Sequence, residues 1–138
     1  MRIVLDTNAL LISIPKNSKY RIIFNRFLLK QFTLVISNDI LTEYAEIIDQ
    51  KANAIVSTNI VEMLLSAGNV EKQDVFFKWQ LIEVDKDDNK FVDCSIAGNV
   101  DFLVTNDRHF DVLKSLDFPQ ITVINIDEFI ELLKFKFL

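Results

Sequence analysis

The chain has 138 residues, the length of one domain, and half of them are hydrophobic, which is enough for a sizeable core. Its net charge of −5 argues against a general nucleic-acid-binding protein, and no apolar run approaches the roughly 18 residues of a membrane span. A single cysteine, Cys94, excludes an internal disulfide and is expected to be a small core residue. Since Arg2 and Asp6 do not fit a signal peptide, the expected location is the cytoplasm, with no membrane attachment.

Short apolar segments alternate with longer segments of helical periodicity along the chain. Such continuous apolar runs are typical of parallel strands buried on both faces. The alternation predicts a single α/β domain over residues 1–138 with a parallel sheet of about five strands. The predicted strands are 2–5, 33–36, 81–84, 102–105 and 121–124, and the predicted helices are 19–30, 39–50, 55–67, 70–79, one beginning near Asp88, and 127–137.

Acidic residues follow three of these predicted strands. Because the carboxyl ends of parallel strands share one edge of the sheet, these side chains are expected to meet there. Carboxylates brought together repel one another unless a cation holds them, and oxygen ligands suit Mg²⁺ or Mn²⁺. The acids are Asp6 after 2–5, Asp85, Asp87 and Asp88 after 81–84, and Asp107 after 102–105.

Glu43 is a candidate for a further acid of this site. It lies beside Ile47 at the margin of the apolar face of the predicted helix 39–50, close to the core. The alternative is an ordinary solvated glutamate.

Among the acids near residue 88, the helical periodicity favours Asp88. It projects onto the face that carries Phe91, which points inward. Asp87 is the second choice and Asp93 the last, because Asp93 points away from that face. The alternative for Asp88 is a helix N-cap.

A local basic region contrasts with the acidic chain. No Asp or Glu occurs from Thr7 to Asn38, and Lys19, Arg26 and Lys30 share one stripe at the edge of the predicted helix 19–30. This stripe is a candidate phosphate-binding surface. The alternative is a solvated helix face.

Three stretches, LDTNALL, ISNDILTEYAEII and DDNKFVDCSIAGNVDFLVTND, together resemble the PIN-domain nuclease family. They are most similar to the branch of toxin components of bacterial toxin–antitoxin systems, relatives of VapC. The resemblance implies a three-layer α/β/α fold and a ribonuclease that depends on Mg²⁺ or Mn²⁺, one ion or two. It further implies a cognate antitoxin that blocks the acidic pocket, and it favours a homodimer. The apolar end of the chain (Phe135, Phe137, Leu138) is a candidate dimer surface, with packing on the core of the same chain as the alternative.

The family's site residues carry over to this sequence with one departure. Asn106 stands where the branch commonly has Gly, which removes no acid. The resemblance implies Asp6, Asp88 and Asp107 as metal ligands, Glu43 as the residue that orients the attacking water, and Thr7, Asn8 and Thr105 as residues that hydrogen-bond the acids.

Two other functions remain as alternatives. A flavodoxin-like or phosphatase-type domain would use the aspartates for phosphoryl transfer, but there is no Gly-rich phosphate loop and no Asp-x-Asp after the first strand. A non-catalytic interaction domain would use the acids for a structural ion or for helix caps. His109, two residues after Asp107, is interpreted as a solvated turn residue, with a ligand role as the alternative.

Overall fold

Five parallel strands form one sheet in the computed structural model of the chain, which describes residues 1–137. Two short 3₁₀ helices, Lys86–Asp88 and Arg108–Ser115, accompany the regular elements. The strands are β1 (Arg2–Leu5), β2 (Thr33–Ile36), β3 (Val70–Lys72), β4 (Phe102–Val104) and β5 (Val123–Ile124). The α-helices are α1 (Thr7–Ser13), α2 (Arg21–Leu28), α3 (Asn38–Lys51), α4 (Ala54–Ser66), α5 (Asn89–Ala97) and α6 (Ile126–Lys136).

The strand order, β3-β2-β1-β4-β5, reverses direction at β1. The chain first builds outward from β1 through β2 to β3, and then returns to place β4 on the other side of β1. Because parallel crossovers are right-handed, this reversal places helices on both faces of the sheet. The predicted α/β/α fold with a five-stranded parallel sheet is therefore confirmed. In open sheets of this type, the carboxyl ends of the strands at such a reversal, here β1 and β4, border the crevice where ligands bind.

The central strands form the core, as their apolar sequences predict. Ile3, Val4 and Leu5 of β1 are at most 2 % exposed, so the strand that ends at Asp6 is buried on both faces. Tyr44 of α3 is fully buried, and its hydroxyl donates a 2.6 Å hydrogen bond to the carbonyl of Leu5. This bond fixes α3 against the end of β1.

Two predicted elements are wrong. Residues 70–79 are not a helix, because Val70–Lys72 is the edge strand β3, which lacks the apolar run of a central strand. Residues 81–84 are not a strand. Ile82 is buried, but its backbone N–H and carbonyl bond the side-chain amide of Asn89, both at 2.9 Å, and not another strand. The acids near residue 88 therefore follow an irregular segment.

The predicted helices 19–30, 39–50, 55–67 and 127–137 correspond to α2, α3, α4 and α6. No helix within residues 1–137 is both long and apolar enough to cross a lipid bilayer. At the end of the chain, Phe135 is exposed and Phe137 packs partly on the core, while Leu138 lies outside the described residues.

Candidate active site

Asp6 lies at the carboxyl end of β1, and it also begins α1. Its Oδ1 accepts the backbone N–H of Ala9 at 2.8 Å, and its Oδ2 accepts the hydroxyl of Thr105. The residue is only 7 % exposed. Burial raises the pKa of Asp6, and the carboxylates of Asp107 and Asp88 raise it further, while the two hydrogen bonds lower it. Within residues 1–137, the donors that hydrogen-bond this buried carboxylate are both neutral.

Asp107 is connected to Asp6 through Thr105 at the end of β4. The backbone N–H of Asp107 donates to Thr105 Oγ1 at 2.9 Å, and that hydroxyl donates to Asp6. Thr105 is buried and Asp107 is exposed. The neighbouring strands β1 and β4 therefore bring two acids and one hydroxyl to the crevice.

Asp88 is the last residue of the short 3₁₀ helix before α5, and its side chain is 15 % exposed. It occupies the N-cap position of α5, as the alternative supposed, but its side chain makes no capping hydrogen bond. Its Oδ2 lies 2.9 Å from Nδ1 of His109, and that nitrogen lies 3.5 Å from Oδ1 of Asp107. Burial raises the pKa of Asp88, and the hydrogen bond from His109 lowers it.

Glu43 of α3 faces the same region. The hydroxyl of Thr7, the residue after Asp6, donates to Glu43 Oε2, and Lys90 Nζ lies 2.7 Å from Glu43 Oε1. The side chains of Glu43 and Lys90 are each only 20 % exposed. Glu43 is therefore a fixed, half-buried acid and not a freely solvated one.

The remaining acids near residue 88 occupy different positions. Asp93 is buried and accepts the backbone N–H of Trp79 at 3.1 Å, which ties it to the irregular segment. Asp87 is exposed. Asp85, Asp88 and His109 each offer one ligand atom, and these three atoms lie within 4.8 Å of one another. Sequence reasoning left Asp85 unranked and gave little weight to His109, although the short spacing from Asp107 to His109 was a usable signal.

Several residues that were predicted to hydrogen-bond the acids or to bind RNA have no hydrogen bond or ion pair with the acids within residues 1–137. Asn8 is exposed, and no hydrogen bond within residues 1–137 connects its side chain to Asp6. Arg26 donates to the carbonyl of Phe137 at 3.2 Å, at the end of α6. Lys30 Nζ lies beside Gly68, just before β3.

Both Arg26 and Lys30 thus lie towards the amino ends of the strands, the opposite edge of the sheet from the acids. Lys19 precedes α2 at the other end of that helix, where its ammonium lies 4.8 Å from the ring centre of Tyr20. The structure does not bring the predicted basic stripe together with the acids as one surface.

The donor set at the crevice suits a divalent cation. No ion pair formed within residues 1–137 involves Asp6. A buried carboxylate without a cation is costly, and each Asp6 oxygen keeps a lone pair beyond its one hydrogen bond. Carboxylate oxygens from Asp6, Asp88 and Asp107 are the ligands that Mg²⁺ and Mn²⁺ prefer. The chemistry of these residues therefore fits the predicted metal.

Comparisons with known proteins agree with this fold. No curated protein matches the chain. Among solved structures, a chain of VapBC2 from Rickettsia felis, bound to a promoter DNA fragment, is similar with a TM-score of 0.63 at 22% identity, over 91% of this chain and 98% of that one. A chain of VapBC-1 from nontypeable Haemophilus influenzae gives 0.60 at 17% identity, over 92% and 99%. A chain of FitAcB from Neisseria gonorrhoeae gives 0.57 at 14% identity, over 90% and 97%.

The family model described as PIN domain matches residues 2–109. This range contains all the acids of the crevice, from Asp6 to Asp107, and it excludes only β5, α6 and part of the second 3₁₀ helix. The resemblance read from the sequence is thereby confirmed, and the chain belongs to the PIN domain family.

Proposed function

We propose that this protein is a metal-dependent endoribonuclease that hydrolyses RNA phosphodiester bonds in the cytoplasm, as the toxin of a toxin–antitoxin pair. The observation that supports the proposal is that hydrogen bonds and ion pairs link four acids, through intervening residues, near the carboxyl ends of β1 and β4. Asp6 is connected to Asp107 through Thr105, and Asp107 approaches Asp88 through His109. Glu43 joins them through Thr7.

Asp6, Asp88 and Asp107 would hold Mg²⁺ or Mn²⁺ at the crevice. Such an ion supplies Lewis acidity toward a phosphate oxygen and lowers the pKa of a bound water. Thr105 and the Ala9 N–H fix the Asp6 carboxylate, so this ligand is already oriented before a cation arrives.

Glu43 would orient the attacking water and accept its proton. Thr7 and Lys90 hold the two oxygens of Glu43, which fixes the plane of the carboxylate. Lys90 also places a positive charge beside the acids, where an RNA phosphate would otherwise meet only negative charge. Lys90 lies closer to the acids than Arg26 or Lys30 do. An RNA cut at the acids would have to extend to the opposite edge of the sheet to reach Arg26 and Lys30, so their role in RNA binding remains a prediction.

The choice of RNA and of an antitoxin partner is supported by the family resemblance. The similar solved structures carry the names VapBC and FitAcB, and one is a complex with promoter DNA. A cognate antitoxin is the protein partner proposed here, and a homodimer is proposed as well.

The test is cleavage of a structured RNA pool by the full chain with Mg²⁺ or Mn²⁺, with EDTA as a control. We expect Asp6→Asn to abolish cleavage. Glu43→Gln should lower the rate by about 10²–10⁴-fold, the range of a lost general base. Glu46→Gln is the matched control, because Glu46 lies one turn further along α3 and is exposed.

Metal-dependent cleavage that survives in Glu46→Gln and is lost in the other two variants would support the proposal. Equal background cutting by wild type and Asp6→Asn would overturn it and favour the non-catalytic alternative.

A further inference from the structure

A groove beside the proposed acid site runs between the start of α3, the start of α5 and the irregular segment that follows β3. We call that segment, residues 73–85, the strap. The groove has a volume of about 730 Å³, within the range of about 300–1,000 Å³ that is usual for ligand sites. Lys90 lines the groove and also pairs with Glu43 at 2.7 Å, so the groove continues directly from the proposed catalytic acids.

The charged side chains of this strap groove nearly balance. Three lysines and three exposed acids line it, namely Lys78, Lys86, Lys90, Asp39, Glu83 and Asp87. A fourth acid, Asp93, is buried and accepts the backbone N–H of Trp79 at 3.1 Å. Within residues 1–137, Lys78 and Lys86 form no ion pair, so both ammonium groups can bind a phosphate.

A second groove borders the acids on the side of β5, and it is acidic. Its charged side chains are Asp107, Asp111, Lys114 and Asp127. The one lysine among them already pairs with Asp111 at 3.3 Å. A polyanion that reaches the acids is therefore repelled less on the side of the strap than on the side of β5.

Exposed aromatic side chains adjoin the strap groove. Trp79 follows Lys78, and its ring packs edge to face against Phe77 and Phe118, with ring centres 4.9 and 5.8 Å apart. Phe77 is 64 % exposed and Phe118 is 79 % exposed, although large apolar groups are usually covered when they cluster. These three residues are the aromatic cluster. Aromatic rings beside a basic groove are the means by which proteins bind single-stranded nucleic acid, with bases stacked on the rings.

Hydrogen bonds from α5 fix the strap in the conformation that presents this cluster. Asp93 accepts the N–H of Trp79, and the side-chain amide of Asn89 bonds both the N–H and the carbonyl of Ile82 at 2.9 Å. The rings are therefore positioned before a ligand arrives, and little conformational entropy is lost on binding.

We infer that the strap groove and the aromatic cluster bind the unpaired RNA strand next to the cut, with Lys78 and Lys86 on its phosphates and the aromatic rings against its bases. The inference rests on the proposed function in taking RNA as the ligand. It adds a direction for the strand, away from the acidic groove at β5. It also adds a preference for unpaired bases, since stacking accepts every base but requires that the base be free.

Trp79 is the single tryptophan of the chain, so its emission reports on the aromatic cluster alone. We would titrate the Asp6→Asn variant of the full chain with single-stranded oligouridine in Mg²⁺, where the RNA stays uncut. Stacking of a base on the cluster should quench the emission to a saturating value. A duplex RNA of the same length should quench it much less, because its bases are already paired and stacked.

Variants separate stacking from apolar contact, with the anisotropy of labelled oligouridine as the readout. Phe77→Leu and Phe118→Leu keep an apolar side chain and lose the ring. Each should weaken binding about 5–150-fold, the range for the loss of one stacked base. Phe135→Leu is the matched control, because Phe135 is an equally exposed phenylalanine on α6 that lines neither groove.

Lysine variants test the direction of the strand. Lys78→Ala should weaken binding and lower the slope of log affinity against log salt by about 0.7, the value for one phosphate contact on a single strand. Lys114→Ala, in the acidic groove, should leave that slope unchanged. With RNA that is cleaved, Phe77→Leu should raise KM and leave kcat unchanged, as expected for a contact made equally in the ground state and the transition state.

Emission that oligouridine does not quench, or equal affinities for wild type and Phe77→Leu, would overturn the inference. Emission that depends on protein concentration but not on RNA would also overturn it, and would assign the aromatic cluster to a contact with a second copy of the chain. Asp6-dependent RNA cleavage would in either case leave the proposed function standing. Saturable quenching without any RNA cleavage by the wild type would support the inference and count against the proposed function.

Discussion

Replacing Asp6 by Asn should stabilise the protein when divalent cations are absent. Burial raises the pKa of Asp6 above its ordinary value of 3.8, and the acids Asp107 and Asp88 add to the effect. An acid with a raised folded pKa binds its proton more tightly in the folded state. Its contribution to stability is therefore largest below the unfolded pKa and is lost as the pH rises through the folded pKa. The amide of the Asp6→Asn variant would keep the acceptor for the Ala9 N–H and carry no charge.

The same substitution should remove the stabilisation that a divalent cation provides. A cation at one hundred times its Kd adds about 2.7 kcal/mol to the free energy of unfolding. A chain of 138 residues has an unfolding entropy of about 0.3 kcal/mol/K, so the Tm of the wild type should rise by about 9 °C. If the variant binds about one hundredfold more weakly, the same concentration adds only about 0.4 kcal/mol, or about 1 °C.

Thermal melts followed by circular dichroism between pH 4 and 8, in EDTA and with Mg²⁺ or Mn²⁺, test both parts. In EDTA the Tm advantage of Asp6→Asn should grow as the pH rises from 4 and then level off. Asp49→Asn serves as the control, because Asp49 is an exposed acid of α3. A wild-type Tm that neither cation moves, or an equal shift in Asp6→Asn, would refute the reasoning.

Three further predictions concern the buried side chains of Tyr44, Thr105 and Cys94. Tyr44→Phe leaves the Leu5 carbonyl without its donor, so the free energy of unfolding should fall by about 1–3 kcal/mol in urea denaturation, and an unchanged midpoint would contradict this. Thr105→Val removes the donor to Asp6 and the acceptor for the Asp107 N–H, so calorimetry should show Mn²⁺ binding weakened about 10–100-fold. Because burial raises the pKa of Cys94 to about 12, its thiol should react with Ellman's reagent at pH 8 in urea and not in the native protein.

The sequence predicts the sheet best where strands are buried. β1, β2, β4 and β5 are short apolar runs. Asp6 directly follows β1 and Asp107 lies three residues after β4, so both could be placed at one edge of the sheet without coordinates. The edge strand β3 escapes prediction because two of its three residues are exposed and charged. The apolar segment 81–84 is not the predicted strand. The side-chain amide of Asn89 bonds the backbone N–H and carbonyl of Ile82 in the way that a neighbouring strand would.

The periodicity of the sequence does not predict contacts between side chains that are far apart along the chain. Helical spacing placed Glu43 near the core, yet it contains no information about Lys90, which lies 47 residues away and holds one of its oxygens. The same holds for His109 and Asp88, which the packing of the second 3₁₀ helix beside α5 brings together. Phe91 and Phe110, close to these residues in sequence, pack edge to face with ring centres 6.4 Å apart. A core contact thereby sets the position of two polar groups.

Asp6 serves the fold and the proposed chemistry through different properties of one carboxylate. As the N-cap of α1 it needs only an oxygen that accepts the Ala9 N–H, a contact worth about 0.5–2 kcal/mol. As a metal ligand it needs the negative charge, which burial beside Asp88 and Asp107 makes costly. Asn retains the first property and loses the second, whereas Ala loses both. Asp6→Asn therefore reports on the site with the cap of α1 retained, whereas the difference between the Asn and Ala variants measures the cap together with the buried side-chain volume and the contact to Thr105.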